Sequence, residues 1–136
     1  MTDILRVKSD LKKLKKAIKV IDSVMEAENK HIKRLELLKF MGQDDFTKEE
    51  IERTERILES LNASEYIKEA NRIEEKYMSV INTLEPLDKT IILDGYINGN
   101  PYWKIGMRIG YSEEGVRKRV AKIVKEIAEK VSFETN

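Results

Sequence analysis

Residues 84–131 read LEPLDKTIILDGYINGNPYWKIGMRIGYSEEGVRKRVAKIVKEIAEKV, and in them short helical stretches alternate with helix punctuation. Asp88 is placed to cap a helix that carries Ile91, Ile92 and Tyr96. Asn98-Gly99 supplies a turn. Asn100 caps the next helix, with Pro101 at its first position, where a missing N–H costs nothing. That helix holds Trp103, Ile105 and Ile109 and ends at Gly110. Ser112 caps the last helix and Tyr111 staples onto Val116. Val116, Val120, Ile123, Ile127 and Val131 then recur at helical spacing. A short helix, a glycine-containing turn of three residues and a second helix make a helix-turn-helix. Gly106 sits inside the first of the two, where the second must approach closely.

In such a motif the second helix offers its N-terminal outward side chains to the major groove of a duplex. Here these are Ser112, Glu113, Glu114, Arg117, Lys118 and, a turn later, Ala121 and Lys122. Arg117 and Lys118 can donate to guanine O6/N7 or to phosphate, and Glu113 or Glu114 can accept from cytosine N4. Arg119, Lys122 and Lys125 read as phosphate clamps that fix register. Competing explanations are plain. The two glutamates also favour the positive end of the helix dipole, and a basic helix face is often only a solvated one. Tyr96, Tyr102 and Trp103 read as core and rim. His31 lies on a charged helix and is assigned no chemistry.

Upstream, positions 4, 7, 11, 14, 18, 21, 25, 28, 32 and 35 alternate in spacing between three and four. They are Ile4, Val7, Leu11, Leu14, Ile18, Ile21, Met25, Glu28, Ile32 and Leu35, so a heptad seam predicts one long helix. Lys12, Lys13, Lys15, Lys16 and Lys19 flank that seam and can cover it with their stems. Glu28 interrupts it. Gly42–Asp45 breaks the helix, and Thr47 with Glu50 reads as a capping box, Phe46 stapling onto Ile51. Ile51, Leu58 and Leu61 begin a seam that polar Thr54 interrupts. A second seam, Ala63, Tyr66, Ala70, Ile73, Tyr77, Val80 and Leu84, is out of phase with it, which predicts a kink or short break at Asn62–Ser64. Pro86 closes the run.

Composition agrees with long helices. Of 136 residues 38% are charged, against about 25% in ordinary globular domains, and glycine and proline are few. The net charge of +1 hides an asymmetry. Residues 1–41 carry 11 basic and 6 acidic groups, residues 42–85 carry 6 and 12, and residues 86–136 carry 9 and 7. Arg117–Lys125 contains five of the last group of bases and no acid. The expected fold is all-α: a helical hairpin or coiled coil over residues 1–84 that serves oligomerisation, then a helix-turn-helix domain over residues 85–136. The seam cannot choose between pairing within one chain and between two, and a homodimer is the expected state.

Cysteine is absent, which excludes a disulfide framework, a thiol nucleophile and a Cys-rich zinc site. No Gly-rich phosphate loop, HExxH or His/Cys/Asp constellation occurs, so neither an enzyme, a metal site nor a cofactor is expected. No apolar run approaches the ~20 residues of a membrane span, and the first residues lack a signal-peptide apolar region. A cytoplasmic protein is the default expectation.

The segment from about Leu84 to Val131 resembles the promoter-reading C-terminal domain of bacterial sigma factors, region 4. The resemblance rests on Leu87, Ile92 and Tyr96, on Trp103-Lys104-Ile105-Gly106, on Ile109-Gly110-Tyr111-Ser112, and on Glu114-Gly115-Val116-Arg117-Lys118-Arg119-Val120. A coil-forming half ahead of that module is similar to the ArpU-like and RinA-like late-gene transcriptional regulators of phages. The resemblance implies double-stranded DNA binding near promoters of phage or prophage structural and packaging genes, in a bacterial host cell. It implies that Ser112, Glu113, Glu114, Arg117, Lys118 and Lys122 are base-proximal. Gly106 stands where most relatives carry alanine, which helix propensity reads as a loosening. No counterpart of the sigma domain that melts the −10 element is visible, which argues against a complete sigma factor.

The leading expectation is a sequence-specific DNA-binding transcriptional regulator whose acidic residues 49–75 offer a surface to RNA polymerase. The alternatives are a small terminase-like DNA-packaging subunit and a helical protein-interaction module that binds no DNA. Ring-sized oligomers would favour the former, and failure to shift duplex DNA the latter.

Overall fold

A computed structural model of the chain describes residues 2–131. Among them the fold is all-helical: α1 (Thr2–Met41), α2 (Asp45–Leu61), α3 (Glu65–Ile81), α4 (Pro86–Tyr96), α5 (Tyr102–Ile109) and α6 (Glu113–Lys130). No helix among the described residues is long and apolar enough to cross a membrane.

The chain forms two compact units, one of Met1–Ala17 with Arg72–Asn136 and the other of Ile18–Asn71. The unit that holds α4, α5 and α6 therefore also contains the first turns of α1 and the end of α3, beyond the residue-85 boundary drawn from sequence. Its interior takes Val7, Leu11 and Leu14 from α1, and Ile73, Tyr77 and Ile81 from α3. Ile91 and Ile92 come from α4, Ile105 from α5, and Val116, Val120, Ile123, Val124 and Ile127 from α6. The apolar periodicity of the first and last helices is thus what builds this core. One polar link lies inside it: the Tyr77 hydroxyl donates to Asp10 Oδ2 at 2.6 Å. Burial, then the Asp10 oxygen, pushes the Tyr77 phenol well above its ordinary range.

In the other unit the break at residues 62–64 falls between α2 and α3, as the phase shift of the two seams requires. Glu28, the polar member of the first seam, accepts a hydrogen bond from Asn62 Nδ2. Arg34 Nη2 meets Glu50 Oε2 at 3.1 Å. Thr54 is buried because its hydroxyl is satisfied locally, donating to the Glu50 carbonyl at 2.8 Å, a common refuge for threonine within a helix.

Four local expectations are corrected. The cap of α2 is Asp44, whose Oδ1 accepts from the Thr47 N–H at 2.9 Å while the Thr47 hydroxyl donates to Oδ2 at 3.0 Å. A carboxylate is the stronger acceptor, so the helix begins three residues before Thr47 would have started it. Those hydrogen bonds lower the Asp44 pKa. Phe46 is no staple: 70% of it is exposed. α4 begins at Pro86, with Glu85 as its cap residue, and Asp88 lies inside the helix. α5 begins after Pro101, not after Asn100.

Candidate functional site

α4, α5 and α6 pack on one another, and the joint between α5 and α6 is set by two glycines. Gly110 takes a left-handed conformation (φ 78°) that ends α5, a conformation glycine adopts without steric cost. Its N–H and that of Tyr111 both donate to the Gly106 carbonyl, at 2.8 and 2.9 Å. This folds the turn back over α5. A Cβ at position 106 would overlap the Tyr111 carbonyl oxygen. Gly106 is thus required by contact with the turn, rather than by the approach of α6 alone.

Ser112 opens α6 as the sequence indicates, its Oγ accepting from the Gly115 N–H at 3.0 Å. Tyr111 side-chain atoms stand 3.8 and 3.9 Å from where a Cβ on Gly115 would lie. From there α6 divides cleanly by side. Val116, Val120, Ile123, Val124 and Ile127 are buried, whereas Glu113, Glu114, Arg117, Lys118, Ala121, Lys122 and Lys125 are exposed.

The seven exposed side chains are not equivalent. Arg117 Nε lies 3.4 Å from Glu114 Oε2, and its Nη2 lies 3.7 Å from Glu113 Oε1. Its guanidinium carbon also stands 5.6 Å from the centre of the Tyr102 ring, within the range of cation–π attraction. Lys118, Lys122 and Lys125 form no ion pair among the described residues. Lys122 and Lys125 border a groove they share with Arg119 and four carboxylates, Glu85, Asp88, Glu126 and Glu129.

Arg119 is held by α4. Its Nε donates to Asp88 Oδ1 at 2.7 Å and its Nη2 to Asp88 Oδ2 at 2.9 Å. These hydrogen bonds raise the Arg119 pKa further, so the charge is permanent. With both oxygens of a buried carboxylate engaged, Arg119 ties α6 to α4 through its Nε and Nη2. The same contact explains why Asp88 is not a cap.

Sequence reasoning placed Tyr102 with the rim and gave it no further part. Its position under Arg117 depends on how α5 meets α6, which no local pattern encodes. Trp103 and Met107, one turn apart on α5, are 54% and 77% exposed, so Trp103 belongs to the surface. Arg108 reaches back to Asp94 at 3.4 Å. No protein-family model matches the chain, and comparisons with curated proteins and with solved structures return no match.

Proposed function

We propose that the chain is a sequence-specific double-stranded DNA-binding transcriptional regulator of phage or prophage late genes. On this reading α5 and α6 form a helix-turn-helix of the sigma region 4 kind, and α6 is the recognition helix. One observation carries it: α6 buries a continuous apolar side and turns Arg117, Lys118, Lys122 and Lys125 outward. Ser112 and the Gly110 turn fix where that helix starts, and its first turns are the part that enters a major groove. Arg117 and Lys118 read base edges, with Glu113 and Glu114 as acceptors for cytosine, and Lys122 and Lys125 hold phosphate. The protein works in the bacterial cytoplasm as a homodimer joined through its N-terminal helices. Two recognition helices then sit on a spaced pseudo-palindrome, and the acidic residues of α2 and α3 face RNA polymerase.

The test is selection of bound duplexes from fragmented host and prophage DNA at near-physiological salt. Enrichment of a common, two-fold-related sequence upstream of late genes is the expected result. Arg117→Ala with Lys118→Ala should abolish that enrichment while helix content stays unchanged. Retention of all fragments alike, at high salt as at low, overturns the reading, because phosphate contacts must weaken with salt.

A further inference from the structure

We infer that Lys8, Lys12 and Lys15 of α1 form a second contact to the DNA backbone beside the recognition helix. The inference rests on the duplex-binding reading and extends its interface to an element outside the helix-turn-helix. Residues 1–17 belong to the same compact unit as α4, α5 and α6, which makes the placement of these lysines part of the site's own geometry. Positions 8, 12 and 15 follow helical spacing and share one flank of α1, next to the face on which Val7, Leu11 and Leu14 are buried.

Two of the three lie beside α5 or the turn that leads into it. Lys12 lines a small groove with Ile91, Gly95, Tyr96, Tyr102 and Val120, which contains no carboxylate. Lys15 Nζ lies 3.6 Å from where a Cβ on Gly99 would stand, against the turn that leads into α5. Tyr102 is the shared edge: Lys12 borders it in the groove, and Arg117 stands over its ring. Lys8, Lys12 and Lys15 form no ion pair among the described residues. Lys12 and Arg117 thus border the same tyrosine from α1 and α6, and a polyanion laid along this edge meets both. Duplex DNA supplies a charge for each ~1.7 Å of its axis, and the three lysines span about 10 Å of helix. The competing role, lysine stems that merely shield the apolar seam, leaves DNA affinity unchanged when the charge is removed.

The experiment measures the salt dependence of binding to a mixed-sequence duplex for the full chain and for Lys8→Gln/Lys12→Gln/Lys15→Gln. Each lost phosphate contact lowers the slope of log K against log salt by about 0.9. The triple variant should therefore lose between about 2 and 3 in slope and bind on the order of 10- to 100-fold more weakly at low salt. It should keep its preference for a selected over a mixed duplex. Replacing the same three lysines by arginine should restore the slope. Arg117→Ala/Lys118→Ala should do the converse and lose the preference. A wild-type slope in the triple glutamine variant overturns the inference and leaves the recognition helix standing. A wild-type chain that binds no duplex overturns the underlying reading as well. If the triple variant loses helix content, the exposed pair Lys8→Gln/Lys12→Gln decides, with a loss of about 2 expected and none overturning the proposal.

Discussion

Asp88 and Arg119 stand 31 residues apart in the chain and meet through two parallel hydrogen bonds of 2.7 and 2.9 Å. The fork geometry matches a guanidinium to a carboxylate, a fit that lysine cannot reproduce. Asp88→Asn leaves the Arg119 charge without its partner, and Arg119→Gln strands the buried Asp88 carboxylate. Water still reaches the Arg119 side chain, which is 27% exposed. The cost of Asp88→Asn is therefore about 2 kcal/mol, whereas Arg119→Gln comes nearer the ~3–5 of a fully buried pair. Urea denaturation of the two single variants and the double variant should show a coupling above about 1 kcal/mol, and Arg119→Lys should recover little of it.

Gly106→Ala tests the turn. Helix propensity alone favours alanine over glycine by about 1 kcal/mol. The overlap with the Tyr111 carbonyl oxygen involves backbone on both sides, which cannot swing away as a side chain does. Overpacking of this kind costs about 1–3 kcal/mol. The expected sign is destabilising, read as a lower denaturation midpoint. A gain in stability would show that the turn relaxes freely.

Tyr77 gives the fold an alkaline limit. Its phenol is raised above the ordinary value of 10.0 by burial and by Asp10. The unfolded chain therefore gives up this proton at a lower pH than the folded one. Stability is complete below pH ~10 and is lost as the pH rises further. Tyr77→Phe should flatten that alkaline decline. At neutral pH it should cost about 1–2 kcal/mol, because Asp10 loses its donor.

Ser112→Ala removes the acceptor for the Gly115 N–H and should cost about 1 kcal/mol. Ser112→Asp supplies another acceptor, now charged, and should retain the stability. Thermal unfolding of the pair separates capping from any other part the hydroxyl plays.

The last helices were legible because their signals are local. Ser112 and Gly110 mark the ends of α6 and α5 by their own backbone requirements, and the valine–isoleucine spacing of α6 states its buried side. The break after Leu61 followed from a phase shift that residues 58–66 contain. Where several cap-forming residues stand together, as in Asp44, Asp45 and Thr47, sequence cannot rank them; here the Asp44 carboxylate caps the helix and the Thr47 hydroxyl donates back to it. Asp88 shows the other limit. An aspartate just after a proline reads as a helix cap, and only a partner 31 positions away turns it into an anchor. The membership of residues 1–17 in the α4–α6 unit was hidden for the same reason, since a heptad seam names a buried face and not what covers it.

Arg117 is not an idle cation at rest: Glu113, Glu114 and the Tyr102 ring already occupy it. For a reader of duplexes, any newcomer must displace these incumbents. A bare phosphate trades one anion for another, whereas a guanine edge adds two directed bonds. On the duplex-binding proposal, the resident acids would favour a partner that offers directed bonds over one that offers charge alone. Neutralising them should yield a protein that clings harder to every duplex and tells them apart less well.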